Sequence, residues 1–249
     1  QSRTVENETV SPNIGFVWQP IPEHSLYASY SKSFSPFGGS MGVNAVSANT
    51  DLKAFDYEPQ YNDQYEIGIK SDWLDQRLNT QLSAFHIKKH NIRDHEDPED
   101  DNSPYVIVGE NESKGFEFSF IGQLFENIYI RGGYGYTDAK IKKDKIETEL
   151  EGNYLRGVSK HTGNVFIRYL PTEKWYGELG ATYMGSYFTS DENTTKMPDW
   201  TRVDAAIGYK DTKWGATVAV NNLTDKEYWR SSSMPGTPRN YLLKLNYFF

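Results

Sequence analysis

Five histidines, one run of acids and a few arginines beside tryptophans are the residues of this chain whose types and spacing could do chemistry. The histidines are His24, His86, His90, His95 and His161. His86 and His90 stand four apart, which would align two imidazoles on a helix but says nothing on a strand, so metal ligation does not follow. The acidic run Asp94-His95-Glu96-Asp97-Pro98-Glu99-Asp100-Asp101-Asn102 carries the oxygen donors that calcium prefers. It lacks the glycine and the terminal glutamate spacing of an EF-hand loop, and reads as a solvated loop. No Ser-His-Asp grouping and no phosphate-cradling glycine loop stand out, and the absence of cysteine removes thiolate nucleophiles, thiolate metal sites and disulfides. The residues therefore argue for no enzyme and no resident cofactor. What remains is recognition, because aromatic planes and cations suit a flat, anionic ligand. Phe188, Trp200 and Arg202, with Arg156 and the pair Trp229-Arg230 nearby, could supply both.

The elements that must carry these side chains are strands. In the last stretch, Tyr241, Leu243, Leu245, Tyr247 and Phe249 fall on one side of a period-two ribbon, and Leu242, Lys244, Asn246 and Phe248 on the other. The same alternation recurs upstream: Leu26, Ala28, Tyr30 and Phe34 against serines, Tyr61, Tyr65, Ile67 and Ile69 against Asn62, Gln64, Glu66 and Lys70. It predicts strands over 13–20, 24–35, 60–71, 77–92, 105–122, 127–139, 154–170, 175–188, 199–210, 214–228 and 239–249. Phe85 and Ile87 break the phase of Leu78, Leu82 and Ala84, which predicts a bulge there. The connections alternate between short and long, the pattern of an up-and-down meander with its long loops on one rim.

Composition agrees with strands that show lipid on every second residue. The chain is 37% hydrophobic and 24% charged, yet holds 18 Tyr, 13 Phe and 6 Trp, enough for interfacial girdles. No run of 18 apolar residues exists, so transmembrane helices are excluded. A net charge of −8 disfavours a nucleic-acid partner. The fold class expected is therefore all-β: an antiparallel up-and-down transmembrane β-barrel of about eleven strands. An odd number cannot close such a barrel, and open edges in hydrocarbon leave backbone groups unpaired, so further strands are expected upstream. About eleven doubled is about 22, the size of plugged outer-membrane transporters. Residues 1–249 are accordingly expected to be the C-terminal part of one barrel domain, with a plug and the first half of the barrel outside this chain.

Particular words in the sequence sharpen that expectation. Tyr57-Glu58-Pro59-Gln60 followed by Gln64-Tyr65-Glu66-Ile67-Gly68-Ile69-Lys70 resembles the mid-barrel segment of TonB-dependent siderophore receptors. Lys114-Gly115-Phe116-Glu117, Gly133-Tyr134-Gly135-Tyr136-Thr137-Asp138-Ala139 and Lys160-His161-Thr162 look like later members of the same series, and Asn221-Asn222-Leu223-Thr224-Asp225-Lys226-Glu227-Tyr228 and Pro235-Gly236-Thr237-Pro238-Arg239 like its penultimate and final members. The resemblance implies a bacterial outer-membrane receptor that binds a ferric siderophore outside the cell. It also implies a plug that the TonB-ExbB-ExbD complex rearranges with the proton gradient, and a terminal Phe249 read by the barrel assembly machinery. Haem or cobalamin uptake is the alternative ligand class, with His95 the one loop histidine for haem, and a passive porin-type barrel the alternative mechanism. In a membrane, Trp200 and Trp229 could also be girdle aromatics, and the arginines could sit on lipopolysaccharide phosphates.

Overall fold

A computed structural model of the protein describes residues 8–35, 58–97, 99–100 and 105–247. The expected loop at 36–56 and the residues Phe248 and Phe249 lie outside the described residues. The strands are β1 (Asn13–Ile21), β2 (His24–Ser35), β3 (Gln60–Trp73), β4 (Leu78–His95), β5 (Tyr105–Phe125), β6 (Ile128–Asp144), β7 (His161–Tyr169), β8 (Trp175–Met184), β9 (Tyr187–Phe188), β10 (Lys196–Met197), β11 (Trp200–Lys210), β12 (Trp214–Asn221), β13 (Trp229–Ser231), β14 (Met234–Pro235) and β15 (Asn240–Tyr247). Eleven of them form one antiparallel sheet in the order β1-β2-β3-β4-β5-β6-β7-β8-β11-β12-β15. The short pairs β9/β10 and β13/β14 are small hairpins inside the long connections. Among the described residues β1 and β15 are the two edges of the sheet.

The wall is one layer thick, and the register shows why the sequence alternates. Paired residues in an antiparallel sheet share a face. Phe16, Ala28, Ile67, Ala84, Phe116 and Tyr136 make one such row across β1 to β6. Ile130, Ile167, Leu179, Ala205, Val220 and Tyr241 continue the same face across β6 to β15. This face has nothing packed on it: Ile67 is 63% exposed, Leu243 64% and Leu245 68%. Near the short turns it carries Trp73, Tyr169, Trp175, Tyr209, Trp214 and Tyr247, with Trp175 and Tyr209 ring centroids 5.0 Å apart and Tyr209 and Trp214 4.8 Å apart. Such a row of aromatics suits a membrane–water boundary.

The opposite face is polar, and its aromatics are spread over glycines. Tyr27, Phe166 and Tyr176 are paired with Gly68, Gly180 and Gly208, and each ring lies where a Cβ on its glycine would stand, between 2.1 and 2.6 Å away. The glycines provide flat sites that the opposing rings cover, which recovers packing a glycine alone would lose in a strand. The few buried apolar residues, among them Val108, Ala139, Ile141, Leu150, Tyr187 and Tyr228, lie at the long-loop rim, where the connections fold back on the wall.

Several strand ends and one bulge differ from expectation: β4, β5 and β6 run on to His95, Phe125 and Asp144, and three ends at the rim change the site. The segment from Tyr154 was expected to enter a strand at once; β7 begins only at His161, and Tyr154 instead forms an isolated bridge to Lys140. The strand expected to Phe188 stops at Met184, and that expected to Tyr228 stops at Asn221. In each case the chain leaves the lattice at the long-loop rim while polar-apolar alternation continues by chance. No bulge occurs at Phe85: β4 pairs with β3 without interruption from His90 to Leu78. Phe85 and Ile87 simply belong to the polar face, where the Phe85 ring lies against Gly115. The bulge falls between Lys89 and Ile92 on the β5 side, where Asn91 adopts φ 56°, a left-handed conformation that asparagine tolerates.

The short turn 211–213 is tied by charge. The Asp211 carboxylate accepts from the Thr212 N–H (2.6 Å), the Lys174 ammonium (3.0 Å) and the Tyr209 hydroxyl (3.0 Å). These donors, the Thr212 amide foremost, hold its carboxyl down at about 2, from 3.8. A carboxyl depressed by folding stabilises above its unfolded value and loses that contribution as pH falls through the folded one. Folded as part of the larger barrel expected from the sequence, the chain should therefore lose stability between pH 4 and pH 2 more steeply than an Asp211→Asn variant. Acid titration of heat-modifiable mobility would check this, and equal slopes would count against it.

Candidate functional site

The candidate recognition residues collect at the long-loop rim, in two groups. Trp200 and Arg202 sit at the start of β11 on the polar face, where Arg202 is paired with Thr182 of β8. Arg202 donates from Nε (3.1 Å) and Nη2 (2.9 Å) to Asp204 Oδ2, and from Nη1 to the Tyr228 hydroxyl (3.2 Å). Tyr228 also packs on Trp200, centroids 4.5 Å apart. The charge of Arg202 is thus balanced within the protein, and Trp200 is covered rather than lipid-facing. Its indole Nε1 is buried with no hydrogen-bond partner among the described residues.

Behind this group, Asn222 is the most buried side chain among the described residues, at 1% exposure. Its N–H donates to Asp204 Oδ1 (2.8 Å), its Nδ2 to the Lys226 (2.9 Å) and Thr237 (3.1 Å) carbonyls, and its Oδ1 accepts from the Lys226 N–H (2.8 Å). Asn222 and Asp225 both take left-handed φ, 56° and 52°, as asparagine and aspartate can. Asp225 in turn accepts from the Arg239 N–H at 2.9 Å. The Asn-Asn-Leu-Thr-Asp-Lys-Glu-Tyr stretch is therefore a knot that fixes the approach to β15 and presents Tyr228 to Trp200 and Arg202. The strand phase expected through Tyr228 hid this; the two asparagines followed by aspartate, which favour turns over strand interiors, were the signal.

The second group joins the long connections 145–160 and 185–199. Tyr154 and Phe188 stack at 9° with centroids 6.1 Å apart. Lys160 lies 3.8 Å and Lys140 4.9 Å from the Tyr154 ring, and Lys196 lies 4.5 Å from the Phe188 ring. The Lys160 ammonium lowers the Tyr154 phenol from its usual range and is itself raised by it. Backbone bonds knit the connections: Gly157 N–H to the Phe188 carbonyl (2.8 Å), Tyr154 N–H to Asn193 Oδ1 (2.7 Å), and Asn193 Nδ2 back to the Tyr154 carbonyl (2.7 Å). A cleft of about 360 Å³ lies here, lined by Tyr154, Lys160, His161, Tyr183, Tyr187 and Phe188 among others. Because Tyr154 bridges Lys140, and Lys140 shares its face with Phe116, Phe188 stands on the apolar-face side of the wall. The strand expected to run through Phe188 ends at Met184, and this break separates Phe188 from Trp200, with which it was grouped as a candidate.

The remaining candidates are separate. The Arg156 side chain is 71% exposed and reaches Asp191 Oδ2 at 3.6 Å. Trp229 and Arg230 lie in the β13/β14 hairpin, Trp229 43% exposed and Arg230 exposed. His95 ends β4, paired with Tyr105, rather than lying in a loop. Tyr154, Lys160, Lys196 and Tyr228 escaped sequence reasoning because their partners are remote in sequence.

A one-layer antiparallel meander with one bare apolar face, one polar face and the described long connections on one rim is the wall of a transmembrane β-barrel. The chain belongs to the TonB-dependent receptor-like β-barrel family, whose model matches residues 1–223, and is an outer-membrane protein. It is 37% identical over 248 residues to the metal-pseudopaline receptor CntO of Pseudomonas aeruginosa, covering 94% of this chain and 33% of that protein. It is 28% identical over 235 residues to the probable TonB-dependent siderophore receptor PiuA of Acinetobacter baumannii, covering 90% of this chain and 31% of that protein. The crystal structure of PiuA superposes with a TM-score of 0.85 at 26% identity, over 95% of this chain and 35% of that one. The fold is also that of the ferric-catecholate import receptor Fiu of Escherichia coli, TM-score 0.78 at 24% identity, covering 95% of this chain and 34% of that one. The chain thus spans about a third of the length of these relatives, all of which are receptors rather than enzymes.

Proposed function

We propose that this chain is the C-terminal part of an outer-membrane receptor that captures a ferric siderophore at its long-loop rim and imports it in a TonB-dependent way. The observation that carries the reading is the family match over residues 1–223 together with a 37% identical receptor for a metal chelate. In this reading residues 1–249 belong to one barrel of about 22 strands. A plug and the remaining strands lie outside this chain, and coupling to the TonB-ExbB-ExbD complex runs through that outside region. Phe249, outside the described residues, is the assembly signal.

On the rim, Trp229 offers an exposed aromatic face, Trp200 is packed under Tyr228, and Arg156 and Arg230 offer exposed cations. Arg202, neutralised by Asp204, positions Tyr228 and Trp200. Phe188 stiffens the neighbouring connection through Tyr154. A second reading, uptake of a metal–pseudopaline complex or a like chelate, is favoured by the name of the 37% identical relative.

The test is binding by the full-length receptor to ferric siderophores, metal–pseudopaline, haem and cobalamin. A Trp229→Ala, Arg230→Gln double variant is expected to weaken the preferred chelate by about tenfold or more, as loss of an aromatic and a charged contact at a binding surface does. Absence of binding to every metal chelate, or a receptor gene with no plug-encoding segment upstream, sinks the proposal in favour of a porin-type barrel.

A further inference from the structure

His90 stands where the β4–β5 ladder slips. The register shifts between Lys89 and Ile92, with Asn91 at φ 56°, so the regular backbone pairing of these two strands is interrupted there. Side chains span the gap instead. His90 Nε2 lies 3.2 Å from Asp63 Oδ2 on β3, and its Nδ1 lies 3.6 Å from Glu110 Oε1 on β5. The imidazole is 17% exposed and stacks on Tyr61 at 16°, with centroids 4.5 Å apart. Each carboxylate has a further donor, the Tyr30 hydroxyl on Asp63 (2.7 Å) and the Lys143 ammonium on Glu110 (3.1 Å). The two carboxylates address opposite nitrogens of one ring and do not converge, and no side-chain group among the described residues is arranged to hold a metal ion. The remaining charges nearby are Lys32, 4.1 Å from the Tyr61 ring, Glu58 before β3, Lys88 directly opposite Asp63, and Glu112 with Lys142 at 3.2 Å. One step further along β4, Lys114 stands opposite both His86 and Asp138.

We propose that His90 is a proton-operated clamp: as imidazolium it ties β3 to β5 across the slip in the ladder, and on losing its proton it releases one of them. A neutral imidazole carries one N–H and one lone pair, whereas the imidazolium carries two N–H donors. With a carboxylate at each nitrogen, only the imidazolium serves both, and the neutral ring turns a lone pair toward one of them. His86 is the contrast, because it faces a single carboxylate, Glu112 at 2.8 Å, which a neutral ring satisfies by donating. Two contacts carry the clamp to the rim. Asn91 Nδ2 donates to the Pro59 carbonyl (3.1 Å) and Arg93 Nη2 to the Glu58 carbonyl (2.5 Å), so residues beside His90 hold the chain that enters β3. Beyond the slip, β4 runs on to His95, paired with Tyr105 at the start of β5. Histidine changes charge between about pH 5 and 8. An interaction made by the protonated form is present at low pH and lost as pH rises, so acidification tightens the long-loop ends of β3, β4 and β5.

The experiment is amide hydrogen exchange of the full-length receptor at about pH 5.5 and about pH 7.5, on either side of the histidine range, with each rate divided by the intrinsic rate at that pH. Amides in 59–63, 88–93 and 107–112 are expected to be about fivefold better protected at the lower pH, the scale of one partly screened ion pair, while β8, β11 and β12 stay unchanged. His90→Gln, which cannot gain a proton, is expected to show the lower protection at both values, and His86→Gln to keep the native response. Glu110→Gln removes the anion at Nδ1 and offers a donor to the neutral ring, so it should abolish most of the response; it carries the test if His90→Gln fails to fold, as heat-modifiable mobility reports. Equal native protection at both pH values, protection that rises with pH, or an unchanged response in His90→Gln or Glu110→Gln would each overturn the proposal. The first of these would mean that Lys88 takes Asp63 over from the neutral ring. None of the readouts depends on which ligand the receptor takes.

Discussion

Expressed alone, residues 1–249 are expected to give no monomeric folded barrel wall in detergent or lipid. Among the described residues β1 and β15 are the sheet edges, and both run from the long-loop rim to the short-turn rim, so they are parallel and cannot complete the antiparallel ladder with each other. A nine-residue and an eight-residue edge strand each leave about four N–H and four C=O groups facing outward. In hydrocarbon each such group costs several kcal/mol, which sums to tens of kcal/mol against a typical domain stability of about 5–15 kcal/mol. Lipid can cover Ile67, Leu243 and the rest of the apolar face; it cannot supply hydrogen bonds to the edges. The chain should therefore aggregate, associate edge to edge or remain unfolded. On the proposal that further strands complete the barrel, co-expression with them should restore a heat-modifiable species. A sedimentation-monomeric chain with full β-sheet signal and a cooperative melt would show that the sheet closes in some way that pairs β1 and β15.

The wall was legible in the sequence because the physics that builds it is local and repetitive. Lipid on one side and polar surroundings on the other force a period of two on every strand, and Ile67, Phe116, Ile167 and Leu243 keep that period without interruption. Turn lengths alternate because the chain must reverse at each rim, so eleven strands and their order could be read directly. At the rim this logic ends. Phe188 and Tyr228 continue a polar-apolar alternation after their strands have stopped, and their neighbours are fixed by contacts with Tyr154, Trp200 and Arg202. Arg202 could be read as a free cation because Asp204, two residues away on the same face, was not weighed as its partner. Phe85 looked out of phase only because a ring on the polar face was unexpected; the room for it is made by Gly115 on the adjacent strand. Sequence periodicity reports the solvent on each face, whereas the site depends on pairs brought together by the connections.

Replacing Asn222 by leucine is expected to open the approach to the last strand more than any other single change at the rim. The leucine keeps the branching but is bulkier, and it satisfies none of the Lys226 carbonyl, the Thr237 carbonyl or the Lys226 N–H that Asn222 now serves. Leaving buried backbone groups unpaired costs about 1–3 kcal/mol each, and a side chain at φ 56° that is not Gly, Asn or Asp adds about 1–2 kcal/mol. Partial rehydration of an opened loop limits the total, so about 4 kcal/mol is expected, close to a thousandfold in the open-to-closed ratio. Tyr228 would then leave Trp200, and Arg202 would lose the Tyr228 hydroxyl. Two controls separate the contributions: Asn222→Gly removes the hydrogen bonds while accepting the backbone conformation, and Asn222→Asp keeps the acceptor for Lys226 but loses both donors. In the full-length receptor, amide exchange at Lys226 and protease cleavage within 223–238 should accelerate in the order Leu, then Gly or Asp, then native, while exchange in β3 to β5 stays unchanged. Equal protection of the Lys226 amide in the native and leucine forms would mean that the knot contributes little and that the connection is held by the Asp225–Arg239 contact instead.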